Sequence, residues 1–503
     1  MRQEDEILET MALYKDDRFD INYEDYYYNG ADLGVYVRGE KTHFKIWAPV
    51  AENVEILIFQ EENSEKVERE IQLAQGEKGT WAKEVSDNLS GKYYLFKIEY
   101  EDYSFEIVDP YAKAVGTNSQ MGYIVDLKKT NPPDWEKDSR VSLETPTDAV
   151  IYEVHVRDFS TSDESGMELK GDYLAFTEKG CENRYGFSTG IEHLKELGIT
   201  HVHLLPVFDF ASVNDTIDDD YNWGYDPYYY NVPEGSYATD PSDESRIVEF
   251  KKMVKALHDN GIGVIMDVVY NHTFFTDGSS FEIIAPGYFY RTHEEDELAN
   301  GSGVGNEIAT ERPMVRKFIV DSVRYWTEEY HIDGFRFDLM RLIDKETMDE
   351  IEDVLHDIDP SIILYGEPWS ALAPQLEHDE QMLKGAQQGM NIAAFNDHFR
   401  DAIKGDTDGD KAGFVNGVKE LVYNIKRGVV GGIDYNEYVH DFTESPAESI
   451  NYVSSHDNLT LWDKLKITNG NDTEQIRIRM DKMAQAIVFT SQGIPFIQGG
   501  EEF

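Results

Sequence analysis

The sequence predicts an α/β protein: a closed barrel of eight parallel strands, set behind a small antiparallel β-sandwich. Three observations carry this reading. From about residue 30 to 110, short apolar–polar alternations are separated by polar turns. From residue 149 the rhythm becomes an apolar run of strand length followed by a segment of helical period. The count is eight such strands and seven following helices, which fits a closed (β/α)8 TIM barrel better than an open sheet.

Residues 1–25 read as a polar N-terminal lead-in and residues 26–115 as the sandwich. In "VEILIFQ", Val54, Ile56 and Ile58 alternate with Glu55, Leu57 and Phe59, and "YYLFKIEY" alternates Tyr94, Phe96, Ile98 and Tyr100 with Leu95, Lys97 and Glu99. Residues 116–146 hold "TNPPDWEKDS", whose paired prolines forbid helix, and read as a linker. The barrel then occupies residues 147–503. "AVIYEVHV" precedes the helix "IEHLKELG", and "HVHLLPVF" precedes "RIVEFKKMVKALHDNG". "GVIMDVVY" precedes "MVRKFIVDSVRYWTEEY", where Val315, Phe318, Ile319, Ser322, Val323 and Trp326 share one helical face. "GFRFDLM" is followed by a helix near 345–358, then "SIILYGEPW". "MNIAAFND" leads into "HFRDAIKG", "SINYVSSHD" into "IRIRMDKMAQAIVFT", and "IPFIQGG" closes the series. No internal repeat or low-complexity tract interrupts it.

Composition narrows the function. At 503 residues, 40% hydrophobic and 13% aromatic, the chain can bury large cores and is no disordered protein. Its 98 Asp and Glu against 46 Lys and Arg give a net charge of −52. So negative a surface repels nucleic acid and anionic membranes, and no nucleic-acid or membrane partner is expected. It suits a neutral ligand, and it also fits a salty or alkaline setting, although acidity alone aids solubility. The single cysteine, Cys181, excludes an internal disulfide and suits a reducing compartment. The N-terminus is acidic where a secretory signal would be basic and then apolar. A cytoplasmic location and a monomer are the expectations.

The chemistry is sought at the C-terminal ends of the strands, where barrels of this kind build their sites. In "HIDGFRFDLM", Arg336 and Asp338 share one face of the strand, opposite Phe335, Phe337 and Leu339. The third strand offers Asp267 and then Asn271 and His272, the fifth Glu367, and the seventh His456 and Asp457. Taken singly, a polar residue at a strand end is an ordinary hydrogen-bonding group. Four carboxylates converging on one mouth are harder to explain as structure. Two chemistries fit them: a divalent metal held by Asp267, Asp338 and Glu367, or glycoside hydrolysis by a pair of carboxyl groups. Arg336 separates the two, because a guanidinium beside Asp338 competes with a cation yet keeps a nucleophilic carboxylate ionised. The ring-rich loop "YNWGYDPYYYNVPEG" (221–235), which offers flat faces for sugar rings, also favours the second.

"DVVYNH", "GFRFDLM", "YGEPW" and "YVSSHDN", in that order, resemble the four signature regions of glycoside hydrolase family 13, the α-amylase family. "YNWGYDP" is similar to the motif of its type I pullulanase branch, the α-1,6 debranching enzymes. "LGVYVRGEKTHFKIWAPVAENVEILIF" resembles the family 48 carbohydrate-binding module that precedes such barrels. The resemblance spans about residues 30–503. It implies a branched α-glucan as partner and retaining cleavage of α-1,6 links in pullulan, starch and glycogen-derived dextrins. By motif it implies Asp338 as nucleophile, Glu367 as general acid and then base, and Asp457 as transition-state stabiliser. Arg336 would support Asp338, His272 and His456 would bind sugar hydroxyls, and Tyr225 would stack beneath the sugar. Trp223 and Trp369 complete the implied substrate contacts, while Asp267 and Asn271 brace the site. Against the family pattern, Arg341 stands where a glycine is usual, and the eighth barrel helix and C-terminal β-domain do not appear.

The resemblance requires no cofactor and no metal at the site; it admits calcium, with no ligands assignable. "DTDGDKAG" (406–413) has Lys411 where an EF-hand loop needs glycine and reads as an acidic turn. Trp47 and Trp81 read as core or interdomain residues rather than a sugar platform, and Cys181 as an inert loop thiol. Three rivals remain: an isoamylase-like debranching enzyme, a catalytically silent glucan-binding fragment, and a Mg²⁺-dependent lyase or isomerase of acids.

Overall fold

The computed structural model describes residue 19 and residues 21–217, 220–293 and 297–503. Most of the lead-in, residues 1–18 and 20, therefore lies outside the described residues. Its end is a packed turn, Tyr23–Tyr26, with the Tyr23 ring against Trp47 and Tyr288.

Two antiparallel sheets follow. One orders Gly34–Arg38, Lys41–Trp47, Thr80–Val85 and Ala74–Gln75. The other orders Arg69–Gln72, Asn53–Phe59, Tyr93–Glu99 and Ser104–Ile107, with Gly122–Tyr123 added beside Tyr93–Tyr94. The alternating residues Val54, Ile56, Ile58, Phe96 and Ile98 are buried between them. Trp47 and Trp81 are buried as well. Trp47 lies against Tyr288 and Phe289 of the barrel loops, so it fastens the sandwich to the barrel.

The stretch read as a linker is bound along its length. Trp135 stacks on His331 at 4.2 Å, Asn131 accepts from Lys251, and Asp138 accepts from both His258 and His331. The prolines exclude helix, but one buried ring and one buried carboxylate make the segment a strap rather than a tether.

The barrel closes from eight parallel strands: β1 (Ile151–Val154), β2 (His201–Leu204), β3 (Gly263–Val268), β4 (Gly334–Phe337), β5 (Ile363–Gly366), β6 (Ile392–Phe395), β7 (Ser449–Asn451) and β8 (Ile494–Gln498). β8 pairs back onto β1 in the register Ile151↔Phe496. Around it run α1 (Gly190–Leu197), α2 (Ser245–His258), α3 (Pro313–Tyr330), α4 (Lys345–Ile358), α5 (Asp397–Lys404), α6 (Val422–Val429), α7 (Leu461–Thr468) and α8 (Glu474–Phe489). Val315, Phe318, Ile319, Ser322, Val323 and Trp326 all face inward from α3.

One expected helix is missing. Residues 367–391, after β5, contain no helix and run as turns. That segment carries Pro374, Gly385 and Gly389 with little helical periodicity, so nothing pays for a regular element there. The loop after β2 is more ordered than its composition implies: Phe208–Phe210 pairs with Pro227–Pro233 as an antiparallel ribbon.

Inside the barrel, Ile151, Ile265, Ile363, Tyr365, Phe395, Ile450, Tyr452, Ile494 and Phe496 form one packed cluster. Phe335 and Phe337 belong to the other core, between strands and helices. Arg336 and Asp338 thus point into the barrel, as the alternation requires.

Candidate active site

Arg336 is the centre of the site. It is buried two residues above Gly334 on β4. Its Nη1 donates to Asp267 Oδ1 and to Asp338 Oδ1, each at 2.9 Å, and its Nη2 lies 2.6 Å from Glu367 Oε1. Carboxylates from the ends of three consecutive strands therefore meet on one guanidinium. Asp338 and Glu367 thus bind the two terminal nitrogens of one guanidinium.

Each is braced. Asn271 Nδ2 donates to the carbonyl and to Oδ2 of Asp338, at 2.9 and 2.8 Å. Asp267 Oδ2 accepts from Tyr225 at 2.7 Å and from His203 at 3.1 Å. Burial would raise the Asp267 pKa, but Arg336 and His203 outweigh that and hold it below the usual carboxylate range. Leu339, next to Asp338, takes a left-handed turn at φ 40°, and its N–H donates to Glu367 Oε2 at 3.0 Å.

Glu367 differs from its neighbours. Burial pushes its carboxyl up, Arg336 pulls it down, and the charge of Asp338 pushes it up again, leaving it at about 7. A carboxyl poised near neutrality can be protonated at working pH and can give the proton away.

The remaining predicted residues occupy two layers. His456 stacks on Tyr225 with centroids 5.0 Å apart, and Trp223 meets it edge-on at 5.2 Å. Asp457 is 56% exposed, and His456 Nε2 lies 3.7 Å from it. Trp369 is half-buried beside Phe395. His272 is placed differently from the expectation: its Nδ1 faces Asn271 Oδ1 at 2.7 Å and its Nε2 faces the Tyr225 carbonyl at 2.9 Å. Both nitrogens face oxygens, and burial lowers the ring's pKa, so the neutral ring donates to one of the two. Arg341 does not crowd the mouth, because its guanidinium is turned aside onto Gln381 at 2.8 Å.

A cavity of about 290 Å³ opens over Arg336, Glu367, Trp369, His456 and Asp457, with Glu153 in its wall. A second, of about 500 Å³, is lined in part by Tyr221, Trp223 and His155 and shares Glu153 and His456 with the first. Sequence reasoning passed over Glu153 and His203. The signal was available, since Glu153 shares the inward face of β1 with Ile151, as Arg336 shares that of β4 with Gly334.

The donor set suits sugar better than metal. Asp267, Asp338 and Glu367 are already taken by Arg336, and among the described residues no group of three or more His, Cys, Asp or Glu is disposed to hold a metal ion. In the 406–413 turn, Asp406 pairs with Lys464 and accepts from the Lys411 N–H.

A closed parallel barrel with an arginine-clamped set of carboxylates at its mouth, preceded by an antiparallel sandwich, is the architecture of a glycan-processing barrel. The model of the alpha amylase catalytic domain matches residues 153–282 and 298–503, and that of carbohydrate-binding module 48 (isoamylase N-terminal domain) matches residues 32–112. The chain belongs to the α-amylase family. Within it, the chain is 41% identical to a pullulanase of Bacillus subtilis over 483 residues, covering 95% of this chain and 66% of that protein. Among solved structures it resembles the pullulanase of Bacillus acidopullulyticus, with TM-score 0.92, 50% identity, and 95% of this chain on 58% of that one. It also resembles a Paenibacillus barengoltzii pullulanase solved with maltohexaose and α-cyclodextrin, with TM-score 0.93, 43% identity, and 97% of this chain on 76% of that one. The chain thus spans just under two thirds of the Bacillus subtilis protein and less of the Bacillus acidopullulyticus one.

Proposed function

We propose that this chain is a debranching glycoside hydrolase that cleaves α-1,6-glucosidic bonds in pullulan and branched dextrins with retention. One observation carries the reading: Asp338 and Glu367 share a single guanidinium beside the cavity that Glu367 lines, and Glu367 stands near neutrality. The pullulanase relatives support the choice of bond.

Asp338, held by Asn271 and Arg336, attacks the anomeric carbon while Glu367 gives its proton to the departing glycosidic oxygen. The ester that forms removes the Asp338 charge. With it goes the repulsion that helped to raise Glu367, so Glu367 becomes the stronger acid and then takes a proton from the attacking water. Asp457 and His456 grip the hydroxyls of the distorted sugar, and the Tyr225 ring lies beneath it.

Incubation with pullulan tests the reading: maltotriose should appear. Its absence under folded conditions, with branched dextrins still cut, would point to the isoamylase-like rival, and starch binding without any turnover to the silent one. Asp338→Asn should abolish turnover while glucan binding survives. Near-normal hydrolysis by that variant would remove Asp338 from its role.

A further inference from the structure

The proposed reaction uses Asp338, Glu367 and Asp457 and leaves Glu153 without a task. Yet Glu153 is 2% exposed, faces the barrel interior from β1, and walls both cavities. Burying an ionised carboxylate is costly unless it is paired and fully hydrogen-bonded. Glu153 spends both oxygens on one residue. Oε2 accepts the backbone N–H of His456 and Oε1 faces its ring Nδ1, each at 2.7 Å. A carboxylate oxygen accepts, so Nδ1 carries a proton and the ring orientation is set. The Tyr225 face and the Trp223 edge remove what freedom remains. The ring is then locked, with Nε2 turned toward the carboxylate of Asp457, 3.7 Å away.

We propose that Glu153 is a positioning residue: acting through His456, it holds a charged imidazolium whose Nε2–H is presented to the sugar hydroxyls and to Asp457. The proposal deepens the debranching reading and rests on it for the sugar. It sets the imidazolium 3.7 Å from the carboxylate of Asp457, which is more than half exposed. A buried acid on the first strand thus places a cation beside an exposed acid beyond the seventh.

The charges around the ring come from most of the barrel. Glu153 faces it from β1, with His155 just beyond the same strand. Asp267 and His203 lie across the barrel on β3 and β2, the Tyr225 ring covers it, Arg336 approaches from β4, and Asp457 follows it in the chain. Burial disfavours the imidazolium, Glu153 more than offsets that, Arg336 opposes it and Asp457 favours it, so His456 is pushed up to about 9. In return, burial would raise Glu153, but His456 holds it below its ordinary value. Remove the carboxylate, and burial and Arg336 both act against the ring charge. The ring turns neutral near pH 7, and the positive charge that faces Asp457 is lost.

Glu153→Gln in the full chain is the test, because an amide of the same shape keeps the packing, loses the charge and can accept only one of the two bonds. With ¹³C-labelled histidine and His456→Gln to assign the signal, the wild-type His456 resonance should titrate near 9. In Glu153→Gln it should titrate below the ordinary imidazole value of ~6.5. On pullulan at pH 7, kcat should fall about tenfold to a hundredfold, as expected for losing a charge-assisted hydrogen bond, with KM little changed. Glu153→Asp, which keeps the charge, should restore most of the titration shift. A Glu153 that only fills space would leave the His456 midpoint where it was, and one that only pairs the ring for stability would leave kcat unchanged; either result overturns the proposal. Should Glu153→Gln not fold, a wild-type midpoint at or below ~6.5 still overturns it. The titration needs no substrate, so failure of the wild-type chain on pullulan would count against the debranching reading and not against the Glu153–His456 pair.

Discussion

Two sites of the molecule share a charge motif. At the barrel mouth, Arg336 holds Asp267, Asp338 and Glu367. At the root of the ribbon after β2, Arg246 lies among Asp209, Asp215 and Glu234, with ion pairs of 3.3 and 3.4 Å to the first two. Both arginines are buried, and both are outnumbered by carboxylates. The difference is access. Arg336 and Glu367 open onto a cavity, whereas Arg246 is closed in by protein and also donates to the carbonyls of Gly116, Pro233 and Pro241. It ties the interdomain strap, the ribbon and α2 together. An unbalanced buried charge cluster marks a reactive site only when something from outside can reach it.

The unlike fates of the surplus acids carry the same lesson. Burial pushes Asp209 up to about 7 and Glu234 up to about 8, so the closed cluster keeps its balance with protons that need never leave. Glu367 holds its proton at the edge of a cavity, where it can be spent.

Four substitutions and one pH profile would break or sharpen this contrast. The largest effect belongs to Glu367→Gln, which should cut turnover by roughly 10²–10⁴-fold with little change in urea stability. In the wild type, activity should fall as pH rises through about 7, since the proton Glu367 must donate is then gone; a rate that holds level to pH 9 would contradict its role. Next, Arg246→Met should destabilise the fold by about 3–5 kcal/mol in urea titration, by stranding buried carboxylates and carbonyls. The folded fraction should keep its kcat, and a loss of kcat in fully folded protein would blur the distinction between the clusters.

Glu234→Gln should act more gently. The carboxyl is held above its unfolded value, so the stability it contributes is complete below ~4.5 and is lost as pH rises through about 8. The amide should flatten the fall in urea midpoint between pH 5 and 9; an unaltered slope would show that Glu234 does not carry that charge. The smallest effect is expected for Tyr225→Phe. It deletes the bond to Asp267 but keeps the ring on His456, and should lower kcat only a few-fold, near the ~1 kcal/mol of one hydrogen bond. A loss as large as that of Glu367→Gln would move Tyr225 into the chemistry itself.

Much of this was legible in the amino acids because the period of two is strict in a barrel. Arg336 and Asp338 announce an inward face when read against Phe335 and Phe337, and the same parity places Asp267 and Glu367. Glu153 obeyed the rule and was passed over, although His155 and Arg157 continue its polar alternation along the chain. The missing helix after β5 shows the opposite limit: an expected repeat imposed a unit on residues 367–391, whose composition does not support one. His272 shows a third. Its position at a strand end was correct, but which way its nitrogens turned depended on Asn271 and the Tyr225 carbonyl, and no spacing encodes that.

The left-handed turn at Leu339 has one more consequence. Because the N–H that follows Asp338 donates to Glu367, the proposed nucleophile and proton donor are tied to each other through one main-chain group as well as through Arg336.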